Sequence, residues 1–285
     1  MTAVSGEPTG SADRTGNRTD GALTTRRSES LERTGPVVAR ALHLLDAFTA
    51  DRRTLSLSEL ARRSGLPVST VHRLAAELVT WGALERDPTG YYHIGLRLWE
   101  IGSLAPRGQG LRERALPFLE DLSQVTRENV QLAVREGTEV VFVERIAGSA
   151  AVPVLTRVGG RFAMTTTGVG LVLLAYAPQE VQNEVLAHPV RRHTPFTLTS
   201  TAQVRTALSE TRARGYAVSD RQITTNTLSV AAPVRGADGQ VATAVSIVMH
   251  HGKMSPQALV PLLLSSARAI SRLLESGPPP TSRAG

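Results

Sequence analysis

The stretch from Leu57 to Ile94 leaves this chain few folds to choose from. Ser56 stands three places before Glu59, the spacing at which each side chain caps the other's backbone N–H at a helix start. The helix so opened, Leu57–Ser64, ends at Gly65, a residue free to take the left-handed backbone of a helix end. Pro67 then introduces a helix from Val68 to about Thr80, with Leu74, Leu78 and Trp81 along one side. Upstream, Val37, Val38, Ala41, Leu42, Leu44, Leu45 and Phe48 recur at helical spacing after Pro36. Downstream, Leu84-Glu85-Arg86 and Tyr91–Ile94 are strand-forming runs around Asp87-Pro88-Thr89-Gly90, whose Pro and Gly suit a turn. Helix, tight turn, helix and hairpin in this order predict a winged helix-turn-helix.

That fold sets the N-terminal part of its second motif helix into a DNA major groove. Val68, Ser69, Thr70, His72 and Arg73 are then the candidates to reach DNA, with Arg73 suited to a guanine edge or a phosphate. Arg62 and Arg63, closing the preceding helix, and Arg86 and His93, flanking the hairpin, are candidates for the backbone. The plain alternative is a solvated surface. Against it, the ionisable residues between Leu60 and Ala76 are Arg62, Arg63, His72 and Arg73, with no acid among them. A helix at Gly95–Ala105 completes a domain spanning 36–105, and its Leu96, Leu98, Trp99, Ile101 and Leu104 have little left within that domain to pack on. They are expected to pair two subunits, since one recognition helix reads too few bases alone.

Pro106, Gly108 and Gly110 mark a break, after which the pattern changes. A helix is expected at Leu111–Thr126, kinked or divided at Pro117. Strands are expected at Val130–Arg135, Glu139–Ile146, Val152–Thr156 and Arg161–Met164. Helices then fit Gly168–Tyr176, Pro178–Ala187 and Thr201–Arg214. Strands fit Tyr216–Ser219, Leu228–Val234 and Gln240–Met249, before a last helix from Pro256 to about Glu275. Strands enclosed by helices make residues 111–275 an α+β domain. Residues 1–34 balance five Arg against five acids with no aromatic residue, and are expected to be a disordered tail, as are residues 276–285 with their three prolines.

The N-terminal run resembles the IclR-type family of bacterial transcription regulators. The likeness is carried by Leu57-Ser58-Glu59-Leu60-Ala61, Gly65-Leu66-Pro67-Val68-Ser69-Thr70-Val71-His72-Arg73-Leu74, Gly82–Asp87 and Gly90–Leu98. It continues in Arg214-Gly215-Tyr216-Ala217 and Ala231-Ala232-Pro233-Val234, and covers about Val37 to Leu274. The resemblance implies a linker helix, a GAF-like domain that binds a small effector, and a homodimer or homotetramer on double-stranded operator DNA. A repressor is expected ahead of an activator, a choice that depends on where the operator lies relative to a promoter. The resemblance places Gly168, Val169, Ser219, Ser229 and Ser246 in the effector pocket, with Asp220 a lesser candidate. The family's usual His and Lys are here Thr165 and Leu171, its usual Cys is Ser229, and the inward position after Ser246 is Val248. Losing these ionic positions points to a weakly charged or apolar metabolite. The residues read by themselves agree in part: Gly168 can open a helix N-terminus, whose free N–H groups favour an anion such as a carboxylate. Thr165–Thr167 fit a ligand contact or a simple cap, and buried hydroxyls at Ser229 and Ser246 need a partner of some kind.

Composition narrows the classes. The 285 residues carry 32 basic and 25 acidic side chains, a balance of +7 that suits a polyanionic partner. Lys253 is the only lysine, a skew toward Arg that a GC-rich genome also produces. With no Cys, disulfides, thiolate nucleophiles and Cys-held metals are excluded. No long apolar run and no signal-like N-terminus suggest a membrane, so a cytoplasmic location is expected. No His-Glu-x-x-His, Gly-x-Ser-x-Gly or Walker pattern appears, His250-His251 lacks companions for a metal, and the expectation is a chain that is not an enzyme and needs no cofactor. Two other readings stand beside the regulator: an enzyme using the C-terminal domain, and an architectural DNA-binding protein without a ligand.

Overall fold

The computed structural model describes residues 35–49, 51–105 and 110–276. The tails expected at 1–34 and beyond Ser276, and most of the break at 106–110, lie outside the described residues.

The N-terminal unit contains α1 (Val37–Leu45), β1 (Thr54–Leu55), α2 (Leu57–Ser64), α3 (Val68–Trp81), β2 (Leu84–Arg86), β3 (Tyr92–Ile94) and α4 (Leu96–Gly102). The expected capping box forms: Glu59 N donates to Ser56 Oγ, and Ser56 N donates to Glu59 Oε2 at 2.8 Å. Gly65 closes α2 at φ 67°. Leu44, Leu55, Leu60, Val71, Leu74, Leu84 and Tyr92 form one buried core. Strand β1, which local sequence did not suggest, pairs with β3 so that the hairpin becomes a three-stranded sheet of order β1-β3-β2. Gly95 N donates to Ala83 O, and a Cβ on Gly95 would stand 2.2 Å from Gly82 O. Only glycine lets α4 leave the wing this close to the end of α3. Helix α4 buries no residue and ends at Gly102 rather than Ala105.

The C-terminal unit contains α5 (Leu111–Thr126), β4 (Asn129–Glu136), β5 (Glu139–Ile146), β6 (Arg161–Ala163), α6 (Gly168–Ala175), α7 (Gln179–Ala187), α8 (Thr201–Arg214), β7 (Ala217–Asp220), β8 (Thr227–Arg235), β9 (Val241–His250) and α9 (Pro256–Glu275). The strands form an antiparallel sheet of order β6-β5-β4-β9-β8-β7. One face packs Phe142, Ala231 and Ala244 against α6 and α8; the other packs Leu132, Val245 and Ile247 against α5 and α9. With helices on both faces, β4 is buried along most of its length. This is the expected α+β domain. Helix α5 runs through Pro117 without dividing.

One expected strand is absent. Val152–Thr156 pairs with no strand, because β6 takes the sheet edge beside β5. Pro153 also lacks an N–H for a ladder. Side chains hold the segment instead: Asn129 Nδ2 donates to Val152 O at 2.7 Å, and Gln131 Nε2 donates to Thr156 Oγ1. Just before β4, fully buried Glu128 accepts a hydrogen bond from Lys253 Nζ at 2.5 Å, tying the β9–α9 turn to the start of that strand. Among the described residues no helix is long and apolar enough to cross a membrane.

Candidate functional site

The sequence singled out two sets of residues, and they lie in different units. In the first, Arg62 on α2 and Val68, Ser69, His72 and Arg73 on α3 are exposed. Thr70 is half-buried. Their exposure follows from the core: Val71, Leu74 and Ala75 turn inward, so the positions between them turn out. The arrangement offers donors from one convex helical face. Arg63 differs, because its Nε donates to Ala47 O at 2.7 Å and fastens α2 to the end of α1. Arg86 is exposed on the wing, bonded by Nε to Gly90 O at 3.4 Å with its guanidinium 5.5 Å from the Tyr92 ring centroid. His93 stands 3.9 Å from Glu85. In the wing turn, Asp87 accepts from Thr89 Oγ1 and from the backbone of Thr89 and Tyr91, bonds that hold its carboxyl below the usual range.

The second set surrounds an open cavity in the C-terminal unit, about 480 Å³ with the solvent at its mouth counted in, of which about 50 Å³ is room for the centre of a water molecule. Its floor is a row of the sheet in which Val248, Ser229 and Ser219 stand side by side across β9, β8 and β7. The N-terminus of α6 forms one wall. Thr167 caps that helix, its Oγ1 accepting from Gly170 N at 3.0 Å, so the capping reading of Thr167 holds while its side chain also lines the cavity. Gly168 is needed here, since a Cβ would stand 2.8 Å from Ser229 Oγ. Ser219 Oγ donates to Thr166 O at 2.9 Å and joins floor to wall.

Of the residues the resemblance placed in a pocket, Gly168, Val169, Ser219 and Ser229 line this cavity. Ser246 does not. It lies one row deeper on β9, in register with Gln131 and Ala231, 1% exposed and with no hydrogen-bond partner for its Oγ. Asp220 also points elsewhere, paired with Arg221 and, at 2.8 Å, with His251 Nδ1. Sequence reasoning missed Gln131 and Phe142 on the sheet, Val154–Thr156 over the mouth, and Gln222–Thr224 opposite. Only Gln131 left a signal, as a polar residue in a strand buried on both faces. Among the described residues no group of His, Asp or Glu gathers as a metal site.

Known proteins share this arrangement. Residues 37–88 match the IclR helix-turn-helix domain, and residues 105–272 match the C-terminal domain of IclR bacterial transcriptional regulators. The HTH-type transcriptional regulator XynR of Escherichia coli is 31% identical over 74% of this chain and 84% of its own. The HTH-type transcriptional repressor AllR of Klebsiella pneumoniae is 26% identical over 87% of this chain and 93% of its own. An IclR homologue from Microbacterium hydrocarbonoxydans, crystallised with 4-hydroxybenzoate, superimposes with a TM-score of 0.80 at 37% identity, covering 85% of this chain and all of the other.

Proposed function

Because this chain belongs to the IclR family of bacterial transcriptional regulators, we propose that it is a repressor whose hold on operator DNA is set by a small molecule in the C-terminal cavity. Helix α3 reads the major groove through Ser69, Thr70, His72 and Arg73, with Val68 against a base or sugar. Arg62 and Arg86 hold phosphates, and Arg63 positions α2. The cavity built from Gly168, Val169, Ser219 and Ser229 takes the effector; Ser246 lines up behind it. The 4-hydroxybenzoate complex of the Microbacterium homologue supports a ligand of about that size.

The observation that carries this reading is the pairing, in one chain, of an exposed helix face whose N-terminal half carries no acid with a lined cavity in a separate unit. A ligand changes DNA affinity only if it binds two arrangements of the protein unequally. The effector therefore acts by reorienting paired DNA-binding units rather than by touching α3. Pairing is assigned to α4 and the residues just after it, where Leu96, Trp99 and Leu104 are 61%, 66% and 78% exposed. Repressor status rests on relatives such as AllR.

The test begins with selection of genomic DNA fragments bound by the full chain. Operator titration follows, with and without small molecules associated with the genes so found. Specific DNA binding that a small molecule alters supports the proposal. Sequence-independent binding that no such molecule changes favours an architectural role instead.

A further inference from the structure

The lining of the cavity carries no charge. None of the residues around it is Asp, Glu, Lys, Arg or His, while Gln131, Thr167, Gln222 and Ser229 bring neutral hydrogen-bonding groups to it. Phe142, Val169 and Val248 supply the apolar surface between them. Of the charged residues that flank the lining in sequence, Arg157 follows Thr156 and is exposed outside the lining, while Asp220 and Arg221 are engaged with each other. Arg221 follows Asp220 and precedes Gln222; its guanidinium donates to both Asp220 oxygens at 3.2 and 3.1 Å and stacks 3.8 Å from the Phe196 ring centroid. The second nitrogen-bearing neighbour, His251, is drawn to the same carboxylate.

One positive feature remains, the N-terminus of α6. A helix end carries about half a unit charge, and part of this one is taken by the Thr167 cap. That suffices for a carbonyl or hydroxyl oxygen. A full carboxylate taken from water would lack a counter-ion, and burying an unpaired charge is far more costly than burying a paired dipole. The uncharged lining also offers amide-type acceptors with a lone pair to meet a donor: Gln131 gives an Nε2 hydrogen to Thr156 and Gln222 Oε1 accepts from Leu198 N at 3.3 Å, and each carbonyl can take a further donor, which a carboxylate lacks.

Resting on the reading of this cavity as the effector site, we infer that its ligand is a small uncharged molecule with an apolar body and a carboxamide or hydroxyl end, not a carboxylate. The carbonyl of such a group meets the α6 N-terminus and Ser229, its N–H or O–H meets a glutamine or threonine oxygen, and its apolar body lies against Phe142 and Val248.

Calorimetric titration of the full chain with matched acid and amide pairs tests this. The pairs are 4-hydroxybenzoate with 4-hydroxybenzamide, benzoate with benzamide, and phenylacetate with phenylacetamide. At least one amide is expected to bind, about tenfold or more tighter than its acid. An acid that binds as tightly as its amide overturns the inference, and so does failure of all three amides. Leu155→Arg separates the ligand class from the site. Leu155 lies at the mouth and is 65% exposed, so the variant is expected to fold, and its guanidinium should raise acid affinity relative to amide. If wild-type preference for the amide is unchanged in Leu155→Arg and in Val248→Phe, the amide is binding outside the cavity. The site assignment then fails.

Discussion

Phe142 and Glu144 stand two places apart on one strand yet face opposite sides of the sheet. The register with β4 slips between them, leaving Val143 as the extra residue of a bulge. Phe142 therefore lines the cavity, while Glu144 turns to the α5 side and pairs with Arg112 Nε at 2.5 Å. Arg112 is the second residue of α5, at the end nearest the DNA-binding unit in sequence. A shift of β5 around a ligand would thus reach the start of α5 through one ion pair.

Arg112→Met is expected to leave Glu144 buried beside a lost partner and to lower stability by about 1–3 kcal/mol. Its effect on operator affinity in the absence of ligand should be small, while the ligand-induced change should shrink. Urea unfolding and operator titration of the same variant measure both. An unaltered ligand response would remove the pair from the coupling.

Arg73→Ala should weaken specific operator binding by about 1–3 kcal/mol if the side chain reads a guanine edge. Arg73 is exposed and bonded to nothing among the described residues that its removal would disturb, so the melting temperature should stay near wild type. Gel-shift titration against operator and scrambled DNA decides it: equal losses on both would make Arg73 a phosphate contact.

Ser246→Ala should stabilise the ligand-free protein by about 1 kcal/mol, because it deletes a buried hydroxyl that has no partner. Equilibrium unfolding in urea reads this directly. A clear loss of stability would mean that the hydroxyl is bonded in solution, through ordered water or Gln131.

Trp99→Glu, on the exposed face of α4, should shift the chain toward monomer and weaken binding to paired half-sites more than to one half-site. Light scattering at several concentrations, read beside the DNA titration, gives the result. An oligomer of wild-type mass and stability would locate subunit pairing elsewhere.

Acid should loosen both units, by different groups. Burial, with help from Arg191, holds His193 below the ordinary histidine range. The unfolded chain then takes up that proton first, so stability is lost as pH falls through the usual histidine pKa until folded His193 also protonates. Glu59, through the Ser56 backbone bond, and Asp87, through the Thr89 hydroxyl, are held below the carboxylate range. Their contributions are full above the unfolded carboxylate pKa and vanish as pH falls through the lowered values. His193→Asn should flatten the first loss and leave the second, as measured by urea midpoints across pH.

Local chemistry made most of this fold readable. Ser56, Glu59, Gly65 and Pro67 act within a few residues of their own positions, and so their helices were legible. Strand β1 was not, because two residues become a strand only when β3 lies beside them. Val152–Thr156 misled for the opposite reason: its β-forming side chains are real, but β6 already holds the edge. The cavity shows the same division. Gly168 and Ser229 could be named in sequence, whereas Val154–Thr156 and Gln222–Thr224 reach the mouth only through long-range folding of segments without periodicity.

The link between Lys253 and Glu128 has a practical side. The sequence contains one ε-amine, and it is the hydrogen-bond partner of a carboxylate sealed from solvent. Apart from the α-amine at the chain's start, amine-directed dyes, crosslinkers and resin couplings, usually treated as harmless surface chemistry, have here one side chain to react with, and the interior relies on its charge. Acylation of Lys253 would therefore disturb the base of the sheet as well as tag it, and a probe meant to follow this regulator is better carried on an engineered cysteine, for which the chain offers a blank background.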